Sequence, residues 1–168
     1  MSVVTCKVYK NRITFAADSM ITEGYSTQRS SKEFKNFSKL FEINDMIIGC
    51  AGNCDELSLL SHFANTHKPL AATEKDILDF IVEFSDYKNK LTGNYIINNS
   101  YLIGYKGKVF EVEGMLVWEV VEHSAIGCGY TYALAALHLG HTAKEATKVA
   151  CDLNAFVAEP IIELEMKR

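Results

Sequence analysis

The chain is predicted to fold as an α+β protein, a four-layer αββα sandwich in which two antiparallel sheets lie face to face with a helix pair on each outer side. Three observations predict it. Runs of β-forming residues, two amphipathic stretches, more β-forming runs, two further helical stretches and a last β-forming run follow one another without repeat, linker or low-complexity tract. The run Met46 to Cys50 is apolar on both faces, as in a strand covered on both sides. With 168 residues, 48% of them apolar and 23% charged, the chain can build one sizeable core, so a single domain over residues 1–168 is expected.

The elements follow in order. Val3 to Tyr9 and Arg12 to Asp18 are rich in β-formers and are separated by Lys10-Asn11, which predicts an N-terminal hairpin. Ser19 to Ser38 is polar, with Gly24, Ser26, Ser30 and Ser31, and reads as an exposed loop or irregular edge. Lys39 to Ile43 and Met46 to Cys50 form a second hairpin across Asn44-Asp45. Asn53, three residues before Glu56, predicts a capped helix start, with Leu57, Leu60, Phe63 and Ala64 as its apolar stripe and Lys68-Pro69 as its end. A second helix starts at Thr73, carries Ile77, Leu78, Ile81 and Phe84 on one face, and stops at Gly93. Tyr95 to Tyr105, Lys108 to Glu113 and Leu116 to Val121 form a meander turned at Lys106-Gly107 and Gly114. The segment 125–129 breaks the chain before an Ala/Leu-rich helix from Tyr130 to Leu139. Thr142 and Glu145 box the start of another helix reaching roughly Phe156, and Pro160 to Met166 is the closing strand.

Charge and cysteine usage narrow the function. Seventeen Lys and Arg against 21 Asp and Glu give a net charge of −4, which supplies neither a basic footprint for nucleic acid nor a polybasic stretch for a membrane surface. No apolar run approaches the ~18 residues of a membrane span and no signal-peptide pattern opens the chain, so a cytoplasmic protein is expected. Cys6, Cys50, Cys54, Cys128 and Cys151 are scattered and odd in number, as buried free thiols are. Cys50 with Cys54, and His138 with His141, are each half of a metal-ligand set with no second half nearby, so neither metal nor cofactor is expected.

The chemistry is carried by an ordered set of residues. Ser2 stands sixteen positions before Asp18, within Ala16-Ala17-Asp18-Ser19 and followed by Thr22. Lys39-Leu40-Phe41-Glu42-Ile43 precedes Ile48-Gly49-Cys50-Ala51-Gly52, and Gly127-Cys128-Gly129 opens a helix. This order, which runs through nearly the whole chain, resembles the proteasome β-subunit family of N-terminal-nucleophile hydrolases, in its short bacterial and phage-encoded form. The resemblance implies a peptidase of the threonine-protease type acting on peptide or unfolded-protein substrates. It further implies assembly into a homo-oligomeric ring, with an ATP-dependent unfoldase as a candidate partner.

The roles carried over suit the residue types. A hydroxyl is a poor nucleophile without an adjacent base, and an N-terminal amine, with an ordinary pKa of about 8, can be that base. Ser2 permits removal of Met1, which leaves hydroxyl and amine on one residue. By resemblance Lys39 stabilises the deprotonated hydroxyl, Asp18 keeps Lys39 charged and oriented, and the Gly49 N–H faces the developing oxyanion. Thr22 and the stretch Gly49 to Ala51 would pair with an extended peptide, and Ile47 would line a pocket for its side chain. Cys128 takes the place of a family serine near the nucleophile's amine.

Three departures accompany the likeness. Ser2 stands where threonine is usual, Cys128 replaces a serine, and Asn154 falls where proteolytic members carry an Asp. Thr5 and Cys6 are other nucleophile types, but freeing either means cutting inside an expected strand. A catalytically inactive proteasome-like subunit, serving assembly or binding, is the competing reading, and an amidase for small amides is a variant of the first.

Overall fold

The computed structural model describes residues 1–24, 27–35 and 37–168. Strands β1 (Val4–Val8) and β2 (Arg12–Ala17) form the N-terminal hairpin, and β3 (Met20–Glu23) and β4 (Thr27–Ser30) form a small ribbon. Strands β5 (Leu40–Ile43) and β6 (Met46–Ala51) make the second hairpin, whose turn residues Asn44 and Asp45 both take positive φ, the conformation that suits a tight hairpin. Helices α1 (Cys54–Ala64) and α2 (Glu74–Thr92) come next. The meander β7 (Ser100–Tyr105), β8 (Lys108–Glu113) and β9 (Leu116–Glu119) leads to a short β10 (His123–Ile126). Helices α3 (Tyr130–His138) and α4 (Ala143–Leu153) and the strand β11 (Ile162–Lys167) close the chain.

Two antiparallel sheets carry the structure, in the orders β10-β1-β2-β11 and β5-β6-β7-β8-β9. Alternation of side chains along each strand sends one set inward and one set to a helix layer. Val4, Cys6, Ile13 and Phe15 of the first sheet meet Ile47, Leu102 and Val109 of the second. The other face of the second sheet, with Ile48, Tyr101, Ile103 and Phe110, packs on Leu60, Phe63, Ile81 and Phe84 of α1 and α2. Val3 and Ala125 pack on Ala133, Ala136, Ala146 and Ala150, whose small side chains let α3 and α4 lie close to the first sheet. The four-layer sandwich expected from the order of elements is therefore present, and each buried Phe or Ile adds about 1.5–3 kcal/mol to it.

The sheets interlock through side chains set into spaces left by glycine. A Cβ on Gly49 would lie 2.5 Å from Val4 Cγ1, and one on Gly104 would lie 2.7 Å from Phe15 Cζ. Both strands give up a side chain so that the opposite sheet can fill the space.

Four expectations need correction. The polar stretch 19–38 contains the ribbon β3-β4 and a 3-10 turn (Ser31–Glu33) in place of a plain loop, and Ser26 lies outside the described residues. The segment before Gly127 forms β10, because β1 needs a partner on its second edge: Val4 faces Ile126 and Cys6 faces Ser124. Residues 95–99 are not strand, since their backbone bonds to side chains of α1 and α2. Finally, Asn53 does cap α1, through Asp55 N at 2.7 Å, but Glu56 turns into the protein instead of completing a capping box. Thr73 and the Thr142–Glu145 box cap α2 and α4 as their spacing predicts.

Candidate active site

The end of β2, the start of β5 and the end of β6 converge beside the N-terminal segment. Asp18 follows β2 and is 1% exposed. Its Oδ1 accepts from Val3 N at 2.9 Å and its Oδ2 from Met20 N at 3.1 Å, and the more distant Ala158 N lies 3.4 Å from Oδ2. Lys39, just before β5, reaches both carboxylate oxygens, at 2.9 and 3.0 Å. A buried lysine would ordinarily be a costly charge, and here a carboxylate ringed by backbone donors compensates it. The third direction of the Lys39 ammonium points outward, to the Met1 carbonyl oxygen at 3.0 Å. Lys39 is thus clamped by Asp18 on one side and pressed against the Met1-Ser2 peptide on the other.

Ser2 is 3% exposed and sits under the turn before α3. Gly129 N donates to its carbonyl at 3.3 Å, and the Cys128 thiol approaches the same oxygen at 3.5 Å. Gly127 takes φ +92°, and a Cβ there would lie 2.2 Å from the Ser2 carbonyl oxygen, so only glycine permits this approach. Asn154 donates from Nδ2 to the Cys128 carbonyl at 2.9 Å and accepts from Phe156 N at 2.8 Å. Both ends of its carboxamide are spent holding the turn and the loop beyond α4.

These groups border a cleft of about 380 Å³ whose walls include Ser2, Lys39, Met20, Thr22, Cys50 and Gly52. Cys54 and Leu57 add to its apolar side. The Thr22 hydroxyl oxygen is buried with no partner among the described residues. Burial, above all, pushes the Cys50 thiol up to about 12, so at neutral pH it is a protonated apolar wall. Among the described residues no three His, Cys, Asp or Glu side chains converge as a metal site would need.

Of the residues singled out from the sequence, the fold brings Ser2, Lys39 and Thr22 to this cleft, with Asp18 behind Lys39 and Cys128 behind Ser2. Three others lie elsewhere. Ile47 is 2% exposed among the inter-sheet core residues and is not part of the cleft wall, because odd-numbered positions of β6 face the first sheet. Ala51 shares that face, its Cβ next to Gly127. Gly49 sits in mid-strand with Val4 against it. Cys50 N donates to Lys39 O at 2.8 Å, so alternation turns the Gly49 N–H the other way, toward Leu102 in β7, and away from the cleft. The glycine at the cleft is Gly52, with φ +145°. Its signal in the sequence is a glycine between a wholly buried strand and a helix cap. Cys50, within the stretch 49–51 expected to pair with a peptide, does border the cleft, whereas Met20, from the expected loop, Cys54, and Leu57, from the apolar stripe of α1, line it with no signal in the sequence.

In fold, the αββα sandwich matches solved structures of proteasome-like proteins, as the resemblance implied. The chain superposes on BPH, the bacterial proteasome homologue of Thiobacillus denitrificans, solved in complex with epoxomicin, with a TM-score of 0.84, 21% identity and 98% of each chain covered. HslV from Trypanosoma brucei matches at 0.74 with 20% identity over 99% of each chain. Anbu (ancestral beta-subunit) from Yersinia bercovieri matches at 0.73 with 14% identity, covering 98% of this chain and 81% of its own. At these identities the likeness establishes the fold. No family model matches the sequence, and no curated protein does. Among the described residues no helix is long and apolar enough to cross a membrane.

Proposed function

We propose that the protein is a peptide hydrolase of the N-terminal-nucleophile class, in which Ser2, freed by removal of Met1, attacks the substrate carbonyl. The observation that carries this reading is the position of Lys39: its ammonium is fixed by Asp18 and directed at the peptide that joins Met1 to Ser2, on the wall of the cleft. With Met1 gone, the α-amine of Ser2 takes the hydroxyl proton as the hydroxyl oxygen bonds to the carbonyl carbon. Lys39 lowers the energy of the developing alkoxide, and Asp18 holds it charged throughout. The oxyanion role moves from Gly49 to the N–H of Gly52, the glycine that borders the cleft. Collapse of the tetrahedral species expels the substrate amine, which takes the proton back. Water then releases the acyl group by the same route.

Thr22 and the Gly52-Asn53 backbone offer edges for an extended chain, and Met20, Cys50, Cys54 and Leu57 form an apolar surface for a side chain. A cytoplasmic, ring-forming assembly fed by an unfoldase agrees with the resemblance. A second reading, an inactive subunit of such an assembly, is favoured by Asn154, whose carboxamide is spent on structural bonds where proteolytic members carry an acid.

One experiment separates the two. BPH is described with epoxomicin bound, and an epoxyketone needs a hydroxyl and a free amine on one residue. The intact mass of the purified protein, before and after epoxomicin, should show loss of Met1 and a single adduct mapping to Ser2. Retained Met1 with no adduct overturns the peptidase reading in favour of the inactive subunit.

A further inference from the structure

A second buried acid–lysine pair lies one layer out from the cleft. Glu56, in the first turn of α1, is 3% exposed, and Lys88, near the end of α2, is 5% exposed. Lys88 Nζ donates to Glu56 Oε2 at 2.7 Å and also to the Ile96 carbonyl. The same carboxylate accepts from Asn98 N at 3.2 Å, Asn99 N at 2.9 Å and the Tyr101 hydroxyl at 2.8 Å. Everything it binds other than Lys88 belongs to the segment entering β7.

That segment ends in Asn99, which is 1% exposed and faces the cleft wall. Its Oδ1 accepts from Asn53 N at 2.6 Å, while Nδ2 donates to Asn53 O at 2.9 Å and approaches Cys50 Sγ at 3.3 Å. One carboxamide therefore grips both backbone groups of the residue after Gly52. The grip is tight: a Cβ on Gly52 would lie 2.1 Å from Asn99 Oδ1. Were the pair needed only to hold two helices together, apolar side chains of the same volume would serve as well without the desolvation cost. What apolar groups do not supply is several directed hydrogen bonds that fix a backbone in one orientation.

We infer that Asn99, oriented by the Glu56–Lys88 pair, is a positioning residue that holds the Gly52-Asn53 turn in the shape that presents the Gly52 N–H to the cleft. The inference rests on the acyl-transfer reading for its catalytic half alone. The structural half concerns the turn itself.

The test uses the full chain, with Asn99→Ala and a Glu56→Leu/Lys88→Met double variant that removes both charges at once. Two quantities are read: hydrogen exchange of the Asp55 amide, whose acceptor is the Asn53 side chain and which Asn99 does not touch, and the kinetics of peptide-amide hydrolysis. Expected for Asn99→Ala is exchange at Asp55 at least tenfold faster, with amides in the middle of α2 changed less than twofold. In the same variant kcat falls tenfold or more while KM stays within threefold, the mark of a group that matters in the transition state. The double variant should fold and move both quantities in the same direction by less.

Unchanged Asp55 exchange in both variants overturns the inference, and so does acceleration spread evenly over α1 and α2, which marks general loosening. Faster Asp55 exchange with unchanged kcat overturns the catalytic half. If the unaltered protein hydrolyses nothing, the acyl-transfer reading fails by itself, and the exchange measurement still decides whether Asn99 holds the turn. Should Asn99→Ala not fold, Asn99→Asp keeps the acceptor and volume but removes the Nδ2 donors, and the same two outcomes apply.

Discussion

The molecule buries two acid–lysine pairs, and they differ in where the remaining partners of each pair lie. In the Glu56–Lys88 pair none of the further partners lines the cleft: the lysine also binds the Ile96 carbonyl, and the carboxylate takes donors from Asn98, Asn99 and Tyr101. In the Asp18–Lys39 pair the carboxylate is equally saturated, by Val3 N and Met20 N, but the lysine's third partner is the Met1 carbonyl on the cleft wall, a bond that removal of Met1 would free. Both pairs meet the desolvation cost of burial with directed hydrogen bonds. Only the second has its lysine on the wall of the cleft. What separates the two buried charges is therefore where their last partner lies: on the cleft wall for Lys39, and in the segment entering β7 for Lys88.

The comparison breaks most sharply at Lys39. Lys39→Ala removes the charge on the cleft wall and leaves Asp18 buried without it, so hydrolysis should fall by about 10²–10⁴-fold and stability by about 3–5 kcal/mol. Because those two losses are confounded, Ser2→Ala is the paired measurement. It should abolish hydrolysis while the denaturation midpoint moves by about 1 kcal/mol or less, since no hydrogen bond is assigned to the Ser2 hydroxyl among the described residues. Full activity in either variant, measured by amide hydrolysis, removes Ser2 and Lys39 from the mechanism.

The pair away from the cleft should show its effect in stability. Lys88→Met strands Glu56 and should cost about 3–5 kcal/mol of stability, whereas Glu56→Leu/Lys88→Met should recover only part of that loss: no lone charge is left behind, but the Asn98, Asn99 and Tyr101 donors lose their acceptor. Urea denaturation of the two proteins checks it. A double variant as stable as the unaltered protein would mean that packing replaces the directed hydrogen bonds of the pair.

A smaller effect follows from pH. Burial alone would raise the Glu56 carboxyl, but Lys88, Asn99 N, Tyr101 and Asn98 N more than offset it and hold the group below its ordinary value of 4.5. The folded form thus binds the proton less readily than the unfolded chain. The contribution is full well above pH 4.5, declines as pH falls below that ordinary value, and is gone below the depressed one. The difference in stability between wild type and the Glu56→Leu/Lys88→Met variant should shift in the variant's favour across that acid window and be flat from pH 6 to 8. A difference that grows in wild type's favour on acidification would contradict the lowered value.

These regions also differ in how far the sequence reveals them. The convergence of Ser2, Asp18 and Lys39 is legible because their order and spacing along the chain resemble a family pattern, and the sandwich is legible because each layer imprints its own periodicity. Glu56 is misleading for a physical reason. Three residues after a capping Asn, local chemistry favours a box, and only the tertiary donors at 98–101 draw the carboxylate inward. Gly49 and Gly52 show the limit within the site. The two lie on one short apolar run, and only the hydrogen-bond register of β6 tells which N–H enters the ladder and which residue borders the cleft. Strand β10 depends likewise on the free edge of β1, which no local pattern encodes.

The smallest change sharpens the cleft side of the comparison. The Cys128 thiol lies 3.5 Å from the Ser2 carbonyl, a long approach by a weak donor on an exposed residue. Cys128→Ser replaces it with a hydroxyl, a stronger donor and acceptor, beside the residue proposed as nucleophile. The gain in stability should be under about 1 kcal/mol, since water competes at an exposed position. In kcat/KM the expected outcome is no loss and at most a few-fold rise. A tenfold loss would mean that the thiol itself takes part beside Ser2.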